Sequence, residues 1–208
     1  MPANATSPSK TRLPSPVLKG KASVEEALAR RRSTRRYSTK ALPFRFLSQI
    51  LWAAEGITDS DGVFRTAPSA GALYPLELYV VVRKGGVESL PAGVYHYKVG
   101  EHALELVMEG DLSLDLEDAT WGQEIVKAAA ASAVITGVRA RIVEKYGRRG
   151  TQYMYQESGH VAQNIFLQAT ALGVGTVVMG AFSEAAVSRV IGAGSGERPL
   201  YIQPLGVP

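Results

Sequence analysis

One long amphipathic segment constrains this chain more than any other feature. From Thr151 to Leu172 the residues Val161, Ile165, Phe166, Ala169 and Leu172 keep helical phase, and Gly173 marks the end. Gly159 and Ala162 on the same segment are small enough to admit a neighbouring helix closely. The rest of the chain supplies a core for this helix to lie on. Of 208 residues, 46% are hydrophobic and 20% charged, which fits one globular domain of ordinary hydrophobicity or two very small ones and excludes disorder throughout. A chain of this size hides roughly 70% of its extended surface on folding, so it needs neither disulfides nor structural metal. The absence of Cys removes disulfide scaffolds, thiolate zinc sites, iron–sulfur clusters and cysteine nucleophiles together.

Residues 1–20 hold four prolines and no apolar periodicity, and they are expected to form a flexible arm ahead of a single domain over 21–208. They contain no apolar signal-peptide region, and no later stretch reaches the length of a membrane span, so a cytoplasmic protein is expected. The net charge is +4, and five of the 23 basic residues fall between Arg30 and Arg36. Such a concentration points to one anion site before it points to a nucleic-acid-binding face.

Ser23 and Glu26 form a capping box for a first helix that is expected to run into the arginines. Pro43 opens a second helix carrying Leu47, Ile50, Leu51 and Ala54, with Gly56 after its end. A Gly/Ser/Pro-rich loop over 58–75 leads into a strand over 76–82. Residues 94–99 and 103–107 alternate as a hairpin joined by Gly100-Glu101. A short helix near 111–119, a strand at 133–136, a helical stretch at 141–146 and a Gly-Arg-Arg-Gly break precede the long helix. After it come a strand over 174–179, a helix capped by Ser183 and stopped by Gly192, and a last strand over 199–205. The mixture predicts an α+β fold on a mixed or antiparallel sheet flanked by helices.

Three segments carry candidate chemistry. In Arg30-Arg31-Arg32-Ser33-Thr34-Arg35-Arg36-Tyr37, Arg31 and Arg35 at i and i+4 share a helical face and, with Ser33, would clamp a phosphate. The same run also reads as a basic helix end favoured by the macrodipole. In Ala67-Pro68-Ser69-Ala70-Gly71-Ala72-Leu73-Tyr74-Pro75, small residues between prolines make a side-chain-poor loop that a flat ligand can approach, or a plain connection. Gly173, Gly175 and Gly180 bracket a strand whose following backbone at Gly180-Ala181 offers N–H groups, although the helix-first order differs from a dinucleotide fingerprint. His160 reads as a structural histidine, His96 and His102 lack metal-ligand spacing, and Trp52 and Trp121 read as core or interface residues.

Taken in this order, and with Glu157-Ser-Gly-His-Val-Ala-Gln-Asn and the terminal Pro-Leu-Gly-Val-Pro, the segments resemble the FMN-dependent nitroreductase superfamily over residues 13–208. They are most similar to its SagB/ThcOx-type dehydrogenase branch. The resemblance implies a nitroreductase-like fold, an intertwined homodimer and FMN at the subunit interface. It implies that Arg31, Arg32, Ser33 and Arg35 hold the FMN phosphate and ribityl chain. Pro68, Ser69, Ala70 and Gly71 of the other subunit would border the ring, and the backbone of Gly180 and Ala181 would face its N5/O4 edge. Members of the superfamily often carry a further basic phosphate contact near the C-terminus, a part that here falls to Arg198 or to Arg31 and Arg35. In the branch that oxidises peptide azolines a Lys-Tyr pair abstracts a proton, which implies Lys145 and Tyr146 as catalytic residues; a plain exposed helix end is the other reading of that pair. The implied activity is two-electron transfer at flavin N5 on a small-molecule or peptide substrate, without metal, membrane or nucleic-acid partners. Reduction of nitro or quinone acceptors by NAD(P)H is the alternative enzyme. A basic, non-catalytic nucleic-acid or ligand-binding protein using Arg30 to Arg36 is the alternative from another class.

Overall fold

Strands in the middle of the chain are buried on both faces, so their side chains must alternate between two helical layers. The computed structural model describes residues 9–208. Its first half runs β1 (Lys10–Arg12), α1 (Val24–Arg30), α2 (Phe44–Glu55), β2 (Leu76–Val82), β3 (Gly93–Lys98), β4 (Ala103–Glu109), α3 (Ser113–Ala119) and α4 (Ile125–Ala128). Then follow β5 (Ala131–Val138), α5 (Arg139–Tyr146), α6 (Arg148–Leu172), β6 (Gly175–Thr176), α7 (Glu184–Ile191) and β7 (Glu197–Gly206). The strands form one sheet in the order β1-β4-β3-β2-β5-β7-β6, antiparallel at every pairing of named strands. The α+β expectation holds.

Period-two alternation in β2 builds the core. Leu78, Val80 and Val82 meet Leu47, Ile50 and Leu51 of α2 and Ile165 of α6, while Tyr79 and Val81 join Leu116 of α3 and Val187 and Ile191 of α7. Helices therefore cover both sheet faces. Local signals set several boundaries: Glu26 N–H donates to Ser23 Oγ at 3.1 Å and Ser23 N–H returns to Glu26 Oε2 at 2.8 Å. Gly173 closes α6 in the left-handed region, φ 71°. No helix among the described residues is long and apolar enough to cross a membrane.

Long-range pairing corrects other expectations. Residues 1–8 of the expected arm lie outside the described part, but the remainder is docked. β1 pairs with β4, Leu13 is buried, Ser48 Oγ donates to Pro14 O at 2.6 Å, and Gln49 Oε1 accepts from Val17 N–H at 2.7 Å. The hairpin connection is a 3-10 turn over Val99–Glu101 followed by left-handed His102, longer than two residues. That histidine fastens the turn, because Tyr97 Oη and Ser48 Oγ meet its two ring nitrogens at 2.8 and 3.0 Å. Only Gly147 interrupts α5 and α6, so the expected four-residue break shrinks to one residue. Of the strand expected over 174–179, Gly175–Thr176 forms a ladder and Met179 adds one bridge to Ile202. Trp121 is 68% exposed and therefore outside the core of this chain, and His160 is exposed on α6.

Candidate functional site

The loop between α2 and β2 holds its backbone in an unfavourable region. Gly71, Ala72 and Tyr74 all have positive φ, at 64°, 53° and 45°. Glycine adopts this region freely, whereas each non-glycine residue held there costs of order 1–3 kcal/mol and persists only where its surroundings fix it. Here they do. Tyr74 N–H donates to Ser69 Oγ at 2.9 Å, Ala70 N–H donates to Glu157 Oε1 at 2.9 Å, and Arg141 Nη1 donates to Tyr74 O at 3.3 Å. Tyr74 Oη donates to Val63 O at 2.8 Å, and the Arg65 guanidinium lies 4.2 Å over the Tyr74 ring.

Lys145 and Tyr146 close α5 directly against this loop. A Cβ built on Gly71 would stand 2.8 Å from Lys145 Nζ and 2.8 Å from Tyr146 Oη. The fold thus unites two segments that sequence reading singled out separately. Tyr146 is itself packed edge-on against Tyr153, with ring centroids 5.3 Å apart. Within the single chain Lys145 and Gly71 are exposed, so the group they form faces outward.

Three acids back the loop, Glu157 directly and Glu55 and Glu77 through Arg65 and Arg141. Glu157 on α6 is buried, and burial pushes its carboxyl above the usual range although the Ala70 N–H, the Ser69 hydroxyl and His160 oppose the shift. Burial pushes Glu55 of α2 up to about 7, against the pull of Arg65, whose Nη1 is 3.1 Å from Glu55 Oε2. Burial also raises Glu77 of β2, but hydrogen bonds from His96 and Arg141 outweigh it and hold that carboxyl below the usual range. Glu157 opens the Glu-Ser-Gly-His-Val-Ala-Gln-Asn motif, which by itself assigns it no role. A signal existed: the residue falls in phase with Val161 and Ile165, one acid in an apolar stripe.

The arginine run differs from expectation. α1 stops at Arg30, and Arg31 is extended at φ −52° and ψ 123°, so Arg31 and Arg35 do not share a helical face. The cause is capture of the backbone by the far end of the sheet. Ser33 bridges Thr176 in parallel, Thr34 N–H donates to Thr176 O at 2.9 Å, and Ser38 N–H donates to Val207 O at 2.8 Å. Arg31 lies 4.9 Å over the Phe166 ring, and Arg32 Nη1 turns back to Ala29 O and Arg31 O at 3.0 and 2.7 Å. None of the five arginines forms an ion pair among the described residues. Beside them Thr176 Oγ1 is buried without a hydrogen-bond partner.

Gly180 and Ala181 are exposed, and their N–H groups have no acceptor among the described residues. Gly180 borders a cleft of about 300 Å³ lined also by Tyr155, Ser158, Phe182, Arg198 and Tyr201. Arg198 is already committed. Its Nε and Nη2 donate to the two Glu184 oxygens at 2.8 and 2.7 Å, and its Nη1 donates to Tyr155 Oη at 2.8 Å. Of the two expectations for a further phosphate contact, this geometry leaves Arg31 and Arg35 as the cations with no carboxylate. The donor set fits a phosphate ester carrying a flat heterocycle: unpaired guanidinium groups at one place, and outward backbone N–H groups at another.

The chain is similar to known proteins over most of its length. The sequence profile described as "Nitroreductase family" matches residues 28–207. A Methanocaldococcus jannaschii protein named as a nitroreductase is 40% identical over 183 residues, covering 88% of this chain and 90% of its own. The microcin B17-processing protein McbC of Escherichia coli is 27% identical and is covered over 62% of its length. Among solved structures, one from Ralstonia eutropha named as a nitroreductase superposes with a TM-score of 0.82 at 29% identity, covering 95% of this chain and 89% of its own. The E. coli microcin synthetase McbBCD complex superposes with a TM-score of 0.76 at 26% identity, covering 85% of this chain and 68% of that one. The likeness to the SagB/ThcOx branch is upheld by McbC and by the trifolitoxin operon protein TfxC of Rhizobium leguminosarum, 26% identical over 195 residues. With a profile that spans most of its length and a relative at 40% identity, the chain belongs to the nitroreductase family of oxidoreductase enzymes.

Proposed function

We propose that the chain is an FMN-dependent dehydrogenase that works as an intertwined homodimer and oxidises an azoline-like ring in a small-molecule or peptide substrate. The observation that carries this reading is the convergence of Lys145 Nζ and Tyr146 Oη on the Gly71 backbone. Arg31, Arg32, Ser33 and Arg35 would hold the phosphate and ribityl chain, where fixed cations meet a group carrying nearly two negative charges. The N–H groups of Gly180 and Ala181 would meet the ring edge, and Pro68, Ser69, Ala70 and Gly71 of the partner subunit would border its face. FMN bound there supplies a two-electron acceptor at N5. The chain's own part is acid–base work and alignment. Lys145 would take the proton released when a substrate C–H bond breaks, and Tyr146 Oη would orient the ring heteroatom. Covering the exposed Lys145 and Gly71 by the partner subunit excludes water from that transfer.

Support for a peptide substrate comes from McbC and from the McbBCD complex, which was solved with truncated pro-MccB17 bound. A second reading, NAD(P)H-dependent reduction of nitro or quinone acceptors, is favoured by the name of the 40% identical relative. The test compares reduction of the bound flavin by NADH, NADPH and a thiazoline-bearing peptide in one experiment. Rapid reduction by the peptide and slow reduction by nicotinamide supports the dehydrogenase; the reverse order selects the second reading. A colourless monomer unable to take up FMN would overturn both.

A further inference from the structure

Glu157 sits where a carboxyl group is costly. It is 5% exposed, in phase with the core residues Val161 and Ile165, and no ion pair reaches it among the described residues. Buried acids are tolerated when donors satisfy their oxygens. Here the donor is the Ala70 N–H at 2.9 Å, from the loop that carries left-handed Gly71, Ala72 and Tyr74. The side-chain oxygen of Glu157 accepts this N–H, and an amide oxygen at the same place would accept it too. The other hydrogen bonds on the loop act at Ala72, through the Ser69 carbonyl, and at Tyr74, through Ser69 Oγ, Arg141 and the Val63 carbonyl. Its leading edge, at Ala70, has Glu157 alone among hydrogen-bond acceptors of its N–H.

We propose that Glu157 is a positioning residue: from the rigid frame of α6 it pins Ala70, and so fixes Gly71 against Lys145 Nζ and Tyr146 Oη. The inference rests on the roles proposed above for Lys145 and Tyr146. A residue of this kind does not touch substrate. It sets the distance between the base and the backbone that borders the reacting ring, and an error near 1 Å there is expensive in rate.

The test uses the flavin-loaded dimer and two substitutions. Glu157→Gln keeps an oxygen for the Ala70 N–H, whereas Glu157→Ala removes it; Glu157→Met, which fills the space without such an acceptor, replaces the alanine variant if that fails to fold. Hydrogen exchange across residues 67–74 is read by mass spectrometry, beside kcat and KM for oxidation of a thiazoline-bearing peptide. In the alanine or methionine variant, exchange confined to that segment should rise about tenfold, as expected for loss of one charge-assisted bond. Its kcat should fall by about tenfold with KM nearly unchanged, and glutamine should restore both readouts. Unchanged exchange, or a glutamine variant as impaired as alanine, overturns the proposal. If Lys145→Ala leaves turnover intact while exchange responds to Glu157, the catalytic reading has failed and the clamp stands; if turnover needs Lys145 and exchange ignores Glu157, the reverse holds.

Discussion

Adding a single methyl group at Gly71 separates backbone strain from active-site contact. Gly71→Ala places a Cβ in the left-handed region at φ 64° and 2.8 Å from both Lys145 Nζ and Tyr146 Oη. The backbone alone costs about 1–2 kcal/mol for an L-residue. The ammonium end of Lys145 swings aside cheaply, but the Tyr146 hydroxyl is held by a ring packed on Tyr153, so the loop or the ring must yield. The backbone share by itself is a fall of about 2–8 °C in Tm for a domain of this size, and the crowding at Tyr146 adds to it. In rate, displacement of the base or its neighbour by part of an ångström predicts a loss of about 100-fold. Gly85→Ala is the control, because Gly85 has φ 66° and a methyl group there would meet nothing within 4 Å. It should lose only the backbone share of that stability and keep full turnover. Thermal denaturation, flavin content and single-turnover oxidation of a thiazoline-bearing peptide measure all three quantities. Equal turnover in the two variants, with flavin bound in both, would refute the assignment of Gly71 to the site.

Replacing Arg31 and Arg35 together by Ala removes two cations that have no carboxylate to leave behind, so FMN affinity should drop by about 10²–10⁴-fold from two lost charge-assisted contacts while the apoprotein stays folded. Flavin retained at full stoichiometry after dialysis counts against them. Lys145→Ala should keep FMN and its spectrum but slow peptide oxidation by about 10²-fold or more, and unchanged turnover would end its role as base. Glu55, buried and pushed up to about 7, gives a pH signature. Its folded value lies above the unfolded one, so the unfolded chain releases the proton first and stability falls as pH rises from about 4.5 to 7. The size is about 3 kcal/mol at most, and the change is complete above that window. Glu55→Gln should flatten the decline between about pH 5 and pH 8 in denaturant titrations; an identical slope in both proteins would exclude Glu55 as its source.

Local signals made much of the fold legible. The Ser23–Glu26 box, Pro43 ahead of α2, the β-branched run of β2 and Gly173 after α6 all act within a few residues, and each appears where its physics requires. What sequence reading misplaced was decided at long range. Propensity and spacing allow the arginine run to be helical, yet Thr176 and Val207 claim the N–H groups of Thr34 and Ser38 from the opposite end of the chain. The three residues of β1 carry no period of their own, and only β4 makes them a strand. Family resemblance named Gly71 and the Lys145–Tyr146 pair as separate segments, and only the fold brings them together. The strain that holds them there, with Ala72 and Tyr74 in the left-handed region, leaves no mark on composition.

Helix α6 explains why groups so scattered in sequence are held in register. Glu157 receives the Ala70 N–H, Ser158 and Tyr155 line the cleft beside Gly180, Asn164 Nδ2 donates to Thr66 O at 3.2 Å, and Phe166 lies beneath the Arg31 guanidinium. Among the described residues no hydrogen bond or ion pair joins the 68–74 loop directly to the arginine run, so this helix, beside the sheet that both adjoin, is a physical link between them. Glu157 and Phe166 are nine positions apart, which is about 13 Å along the axis. An inserted residue between them would add about 1.5 Å and, more damagingly, rotate one end about 100° against the other. Glu157 and Phe166 would then be unable to face Ala70 and Arg31 together, so a single uninterrupted helix, rather than two helices and a hinge, keeps the loop and the arginine run of each chain in the fixed register that two sites shared across the proposed dimer require.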